Sequence, residues 1–383
     1  MKILYVTTIS NTVNSFFIPH VQSLMEQGNK VGLAFHIIQE VNAEILELGC
    51  KIHQVDFHRN PIHIGNYRAY KEIRKIILNE GYEMIHVHTP VASFVTRLAC
   101  RKMRETHVLY TAHGFHFFKG APKKNWLIYY PIEKVSAKWT DGIITMNNED
   151  YDLAKKLKLR KKDSVYRVNG IGVDLNKFIP ITKEMKMDLR KKYGYSDEDF
   201  ILIYVGELSY RKHQDQLIKA ISLLKGKIPN LKLLLVGDGS LLNKYKELAE
   251  QLKIESNVEF LGFRKDIQQL MGISDVAIST SRQEGLPVNI MEAMATGLPL
   301  IVTNCRGNRD LVRNNENGYV IEIDDVKECA IAIEKLYHSE ELRQNFSNQN
   351  RKKIEKYSLK NVLNEMKKIY KNETMTPVTK IGK

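Results

Sequence analysis

A chain of 383 residues that is 43% hydrophobic and 27% charged is long enough for two ordinary hydrophobic cores and too mixed in composition to be disordered. No uninterrupted apolar stretch of about 20 residues occurs, which excludes a bilayer-spanning helix, and the four scattered cysteines, Cys50, Cys100, Cys305 and Cys329, exclude a zinc ribbon or a disulfide framework and suit a reducing cytosol. The net charge of +14 favours anionic company, whether nucleic acid, acidic lipid headgroups or a phosphorylated substrate, without choosing among them.

The N-terminus, Met1 to Thr8, reads as a first strand that leads straight into the fold, since no small-residue cleavage site follows its apolar run. Further short β-branched runs at Ile3–Thr7, Val31–Phe35, Met84–His88, Val108–Thr111 and Gly142–Met146 alternate with helical patterns, which predicts a parallel sheet. The rhythm restarts after the polar segment Asn176–Asp199, with strands at Ile201–Val205, Leu231–Val236, Val258–Leu261, Val276–Ser279 and Leu300–Val302. The expected architecture is therefore α/β, with two Rossmann-like, doubly wound parallel-sheet domains facing an interdomain cleft. The turn cluster Asn169–Gly172 places the boundary near Leu175, giving domains of 1–175 and 176–356. A last helical segment, 357–372 with its pattern over Leu359–Tyr370, follows the second sheet, and 373–383 reads as a flexible tail.

Open parallel sheets bind ligands beyond the carboxyl ends of their strands, so the strand-end loops are where chemistry is expected. The segment from Ser281 to Pro299 is the most informative. Pro287 suits the first helical position, and Gly297 followed by Pro299 stops the helix about three turns later. Leu286 cannot cap the first turn, which leaves amides near Val288 and Asn289 for an outside anion, with a diphosphate the obvious candidate. Glu284 in the loop can accept hydrogen bonds from sugar hydroxyls, and Glu292, more than a turn inside the helix, can bridge two ribose hydroxyls. A second loop runs from Gly206 to His213. Gly206 permits close backbone approach, and Arg211 with Lys212 supply positive charge for phosphate oxygens.

Gly206-Glu207-Leu208 with Arg211-Lys212, Gly237-Asp238-Gly239, Phe260-Leu261-Gly262-Phe263, the stretch Ser274-Asp275 to Gly297, and Gly307-Asn308-Arg309-Asp310-Leu311-Val312 together resemble the second domain of family 4 retaining glycosyltransferases. His86-Val87-His88-Thr89-Pro90 and Thr111-Ala112-His113-Gly114-Phe115-His116 are most similar to bacterial capsular and exopolysaccharide enzymes of that family. The resemblance implies a GT-B fold, a donor held mainly by the second domain, an acceptor-binding first domain, and a final helix crossing back to it. It also implies that Arg211 and Lys212 hold the diphosphate, Glu284 contacts the transferred sugar and Glu292 the ribose. Gly262, Phe263 and Arg264 would flank the base, Gly285 to Asn289 would line the donor, and His113 would sit near the sugar. One departure is the loop Thr8–Asn14, where many relatives carry a Gly-Gly pair; another is Glu207, where relatives often carry arginine.

The expected reaction is retaining transfer from a UDP-sugar, with an N-acetylated amino sugar as one candidate, onto a polyprenyl-diphosphate-linked saccharide at the inner face of the cell membrane. The donor's own phosphate oxygen would take the acceptor proton. No cofactor or metal is expected. His86 and His88 occupy alternate positions of a strand without a helical His-x3-His or Cys partner, and Asp150-Tyr151-Asp152 and Asp197-Glu198-Asp199 match Asp-x-Asp by chance. The basic, aromatic stretch Phe115–Tyr130 reads either as a surface that docks on anionic lipid, with Lys119, Lys123 and Lys124, or as core of the first domain. A dehydrogenase lacks its G-x-G-x-x-G. A nucleotide-sugar epimerase of the same architecture is the nearest enzymatic rival, and a nucleic-acid-binding protein is disfavoured by the lack of any RNP, helix-turn-helix or zinc-finger pattern.

Overall fold

Residues 1–58, 60–61 and 63–375 are described in the structure, a computed structural model, with Met375 described by its backbone alone. The chain divides into two units, the first formed by Met1–Asn169 together with Leu363–Lys383, and the second by Gly170–Val362. The division falls at Asn169/Gly170 rather than near Leu175, because the turn after Val168 already belongs to the second unit, where Val173 bridges to Ser358.

The first unit carries β1 (Lys2–Ile9), β2 (Lys30–His36), β3 (Lys51–Gln54), β4 (Met84–His88), β5 (His107–Ala112), β6 (Gly142–Thr145) and β7 (Val165–Arg167) in the order β3-β2-β1-β4-β5-β6-β7. Every neighbouring pair is parallel, as the helical crossovers between strands require. Parallel strands are covered on both faces, so β1 and β4 are runs of buried residues, among them Ile3, Leu4, Val6, Ile85 and Val87. The edge strands β3 and β7 were missing from the sequence reading because both are short and only partly buried, and neither carries an apolar run.

The second unit carries β8 (Phe200–Val205), β9 (Leu231–Val236), β10 (Val258–Gly262), β11 (Val276–Ser279), β12 (Leu300–Thr303) and β13 (Tyr319–Ile321), again all parallel, in the order β10-β9-β8-β11-β12-β13. Its core is built from Leu202, Leu233, Leu235 and Ile278 of the sheet and Leu217, Ile221, Ile333 and Leu336 of the helices over it. In this sheet the strand order reverses between β8 and β11. The loops leaving those two strands therefore lie side by side at the switch point, where doubly wound sheets bind ligands.

The last helix, Leu359–Met375, runs three residues beyond the sequence expectation, and from Leu363 onward it belongs to the first unit. Tyr370 donates to or accepts from Tyr5 at 2.8 Å and lies 2.5 Å from His86 Nδ1. The expected flexible tail from residue 373 is corrected at Glu373. This side chain is buried at 1% exposure and receives His107 Nε2 at 2.6 Å, the Tyr166 hydroxyl at 2.5 Å and the Lys161 ammonium at 3.5 Å. Its partners stand on β5, on β7 and beside β7, so they hold a turn of helix that its own polar composition does not explain. Residues 376–383 of that expected tail lie outside the described residues.

Within Phe115–Tyr130, Phe115 and Phe117 are core, stacked at 4.8 Å, and Trp126 and Tyr130 pack on Phe117. The outward apolar residues are instead Leu127 and Ile128, on the helix Lys123–Ala137, at 77% and 51% exposure. Among the described residues, no helix is long and apolar enough to cross a membrane.

Candidate active site

The loops after β8 and β11 are stitched together by hydrogen bonds between main chain and buried hydroxyls. The amide of Arg282 donates to the Arg211 carbonyl at 2.9 Å, the Tyr204 hydroxyl to the Lys212 carbonyl at 2.8 Å, and the Thr280 hydroxyl to the His213 carbonyl at 2.7 Å. Held this way, the loops bring Arg211, Lys212 and Glu284 into one cluster although 72 residues separate Lys212 from Glu284. Lys212 Nζ donates to Glu284 Oε1 at 2.6 Å, and Arg211 lies 3.4 Å from Oε2 while also reaching the Gln283 carbonyl at 3.3 Å. Lys212 and Glu284 are buried, whereas Arg211 is open to solvent and also lies 4.0 Å from Glu207. Burial alone would raise the Glu284 carboxyl, but the Lys212 and Arg211 charges outweigh it and hold the group below the usual glutamate range.

Gly206 underlies this cluster, since a Cβ there would stand 3.3 Å from Lys212 Cε. Arg306, which the sequence reading passed over, donates Nε to the Glu284 carbonyl at 3.0 Å and so braces the same loop from behind. Its one signal in the sequence is adjacency to Gly307. Gly285 and Leu286 complete the loop, with Leu286 buried against Gly170.

The helix that follows spans Val288–Thr296 and ends at Gly297 in the left-handed conformation. Pro287 is the capping residue at φ −74 and ψ 118 rather than the first helical one. An extended ψ keeps it out of the helix, so the first turn begins one residue later, at Val288. No side chain caps this start, which leaves the positive end of the helix dipole undecorated four residues after Glu284, the residue that Arg211 and Lys212 hold. Asn289 instead turns its amide onto the Val205 carbonyl at 2.8 Å and ties the helix to the end of β8.

Glu292 sits one turn further along, half-buried, and among the described residues its carboxylate makes no hydrogen bond or ion pair. Burial pushes it up to about 7, against which Lys177 acts weakly. After β10, Gly262 accepts from the Gly237 amide at 2.8 Å, and Phe263 projects at 80% exposure. Arg264 is occupied locally: it forks onto Asp266 at 2.8 and 2.5 Å, and Asp266 also receives Tyr193 at 2.6 Å.

His113 belongs to the first unit, one residue beyond β5. Its Nε2 lies 3.0 Å from Nδ1 of His88, the last residue of β4. Residues two apart on a strand share a face, and accordingly the His86 and His88 rings lie 4.2 Å apart. Burial first, then the neighbouring His20, pushes His113 down to about 4, so its imidazole is neutral near pH 7. Sequence reasoning named His113 and missed the part played by His88. In the departing Thr8–Asn14 loop, side chains fasten the next segment: Ser10 Oγ accepts from the Gln39 amide at 3.1 Å, and Asn14 Nδ2 donates to the Glu40 carbonyl at 2.8 Å. Asp150, from one Asp-x-Asp match, is buried and accepts from the Phe115 amide, and Asp199, from the other, accepts from the Ser196 amide. Among the described residues no group of three or more His, Cys, Asp or Glu is arranged to hold a metal ion.

Known proteins share both halves of this design. The family pattern described as Glycosyl transferase 4-like matches residues 2–147, and that described as Glycosyl transferases group 1 matches residues 185–353. The chain is 39% identical to the putative glycosyltransferase EpsD of Bacillus subtilis over 96% of both chains. It is 30% identical to the UDP-Gal:alpha-D-GlcNAc-diphosphoundecaprenol alpha-1,3-galactosyltransferase of Escherichia coli, over 82% of this chain and 81% of that one. Among solved structures, Anabaena Alr3699/HepE in complex with UDP and glucose superposes with a TM-score of 0.79 at 18% identity, covering 97% of this chain and 100% of the other. Two doubly wound units, matched in order by these two patterns and by relatives along nearly the whole sequence, identify the chain as a member of the family 4 glycosyltransferases with the GT-B fold.

Proposed function

We propose that this glycosyltransferase moves a sugar, with an N-acetylated amino sugar as a candidate, from a UDP-sugar to a saccharide carried on polyprenyl diphosphate, with retention and without a metal. The observation that carries this reading is the uncapped start of the helix at Val288, reached through the loop whose Glu284 gathers Arg211 and Lys212. Two cations and a helix start without a side-chain cap, joined by the Glu284 loop, supply the charge and donors that a diphosphate needs. As the bond to the sugar breaks, charge grows on that diphosphate, and the same groups stabilise it. An oxygen of the leaving phosphate takes the proton from the acceptor hydroxyl on the same face, so no enzymatic nucleophile is needed. Glu292 suits a ribose, having a carboxylate one turn into the same helix that is unpaired among the described residues. The E. coli relative, whose name specifies a UDP-sugar donor and a diphosphoundecaprenol-linked acceptor, supports both substrate classes.

The acceptor's lipid implies work at a membrane surface, which we assign to the inner face of the cell membrane. The first unit holds 29 Lys and Arg against 17 Asp and Glu, whereas the second holds 29 against 27. Exposed Leu127 and Ile128 beside exposed Lys119, Lys123 and Lys124 give that excess a local apolar anchor.

Thermal-shift screening of nucleotide sugars, followed by transfer to polyprenyl-diphosphate-linked acceptors with and without EDTA, tests the proposal. Stabilisation by UDP-sugars, EDTA-resistant and acceptor-dependent release of UDP, and an axial product linkage from an axial donor are expected. Release of an altered sugar without acceptor would instead mark an epimerase. Binding of Lys119→Glu/Lys123→Glu/Lys124→Glu to anionic vesicles as tightly as the parent would remove the docking surface.

A further inference from the structure

We propose that His88 is a positioning residue that fixes the tautomer of His113, placing the His113 proton on Nδ1 so that this residue meets its ligand as a hydrogen-bond donor. The inference deepens the proposed glycosyl transfer and rests on the role that the family resemblance implies for His113, a place near the donor sugar.

His88 is 2% exposed, and its ring is walled by aromatic groups, with Phe17 at 4.4 Å, Tyr5 at 4.8 Å and His86 at 4.2 Å between centroids. Its Nε2 is buried and finds no hydrogen-bond partner among the described residues, while its Nδ1 faces His113 Nε2 at 3.0 Å. In a neutral imidazole one nitrogen carries the proton and the other a lone pair. An orphaned buried N–H is rarer than an orphaned buried acceptor, so the arrangement of lower energy leaves the lone pair on the unpartnered Nε2 of His88. His88 then bears its proton on Nδ1 and donates to His113 Nε2. With that nitrogen accepting, the only place left for the His113 proton is Nδ1.

His86 cannot compete for these positions. Its Nδ1 is engaged with the Tyr370 hydroxyl at 2.5 Å and its Nε2 with the Thr111 hydroxyl at 2.7 Å, which also locks the ring that packs at a 37° tilt against His88. The last helix thereby supports the orientation of His88 from below. Chemically, a His113 that offers N–H suits an oxygen acceptor such as a sugar hydroxyl or a phosphate oxygen. It has no free lone pair with which to take the proton of the attacking hydroxyl, which leaves that task to the donor's phosphate.

The test uses the full chain labelled with 15N-histidine. Two-bond nitrogen–proton correlations in the parent protein read each tautomer directly, and His113 protonated on Nδ1 is the expected result. His113 protonated on Nε2 would overturn the proposal whatever the variants do. His88→Phe, which removes the donor, is expected to lower kcat roughly tenfold to a hundredfold with little change in donor KM and to mix the His113 tautomers, whereas His88→Asn, whose amide can donate from the Nδ1 position, recovers most of the rate. Unchanged kcat in His88→Phe would also overturn it, and if that variant does not fold, the spectrum of the parent alone decides. Full activity in His113→Ala would sink the reading that His113 meets the sugar while leaving the tautomer assignment intact.

Discussion

Lys212 Nζ and Glu284 Oε1 lie 2.6 Å apart, both on buried side chains, and this contact spans two loops that are adjacent only because β8 and β11 are neighbours at the switch point of the second sheet. The carboxylate thus serves two ends. It neutralises an ammonium that could not otherwise be buried, and it holds that ammonium against the loop that leads into the uncapped helix at Val288.

Removing Glu284 should therefore cost stability as well as transfer. Glu284→Ala leaves a buried, unpaired Lys212 and is expected to lower unfolding stability by about 3–5 kcal/mol at pH 7. The folded carboxyl lies below its unfolded value, so its contribution is fully present above the ordinary glutamate range and is lost as pH falls through the folded pKa. Denaturant titrations of Glu284→Gln and the parent should consequently converge as pH falls below the ordinary glutamate range. A difference that persists undiminished at low pH would show that the pairing is not the source.

Glu292 has the opposite sign. Burial lifts its carboxyl to about 7, so the folded state favours the protonated form, and the associated stability is present below the unfolded glutamate value and lost as pH rises toward 7. Glu292→Gln removes that loss and should be more stable than the parent at pH 8, by at most about 3 kcal/mol, and nearly equal to it at pH 4. The same substitution should weaken UDP binding, because an amide cannot accept from two ribose hydroxyls as a carboxylate can. Calorimetric melts at the two pH values and UDP titrations check both halves.

These pairings also mark where sequence stops being legible. The interior strands are plain because a parallel strand covered on both faces is a continuous apolar run, as in Phe200–Val205 and Leu300–Val302. The edge strands Lys51–Gln54, Val165–Arg167 and Tyr319–Ile321 are short and partly exposed, and their alternation is lost. At the candidate site, the helix start, Glu284 and the Arg211-Lys212 pair were visible through local spacing. That Lys212 neutralises Glu284, that Arg306 braces its carbonyl and that His88 meets His113 follow from strand order, which no local pattern encodes.

Glu373 was misjudged for the same reason, and it carries a prediction. Surrounded by Asn372 and Thr374 it reads as solvated tail, yet His107, Tyr166 and Lys161 converge on it. Burial raises its carboxyl, but the hydrogen bonds from His107 and Tyr166 prevail and hold it below the usual range. Glu373→Ala strands these donors and should destabilise the first unit by about 2–4 kcal/mol at pH 7, with a smaller loss as pH falls below the ordinary glutamate range and through the lowered folded pKa. Removing residues 373–383 should match the single substitution in a urea titration if Glu373 is the part of that segment that matters.

The loop that presents Glu284 rests on a glycine contact, which separates backbone strain from steric conflict. Gly307 and Gly194 both have positive φ, +82 and +81. A Cβ on Gly194 meets nothing within 4 Å, so Gly194→Ala should cost only the conformational penalty, about 1 kcal/mol. A Cβ on Gly307 would stand 2.5 Å from the Gly285 carbonyl oxygen, 2.9 Å from its carbon and 3.3 Å from Glu284 Cβ, and backbone atoms cannot swing aside as a flexible side chain does. Gly307→Ala must then push Gly285, and with it Glu284, away from Lys212. The expected result is a stability loss exceeding that of Gly194→Ala by about 1–3 kcal/mol, together with at least a tenfold loss of UDP-sugar affinity that Gly194→Ala does not show. Equal donor affinity in the two variants would mean that the Glu284 loop takes no part in holding the donor.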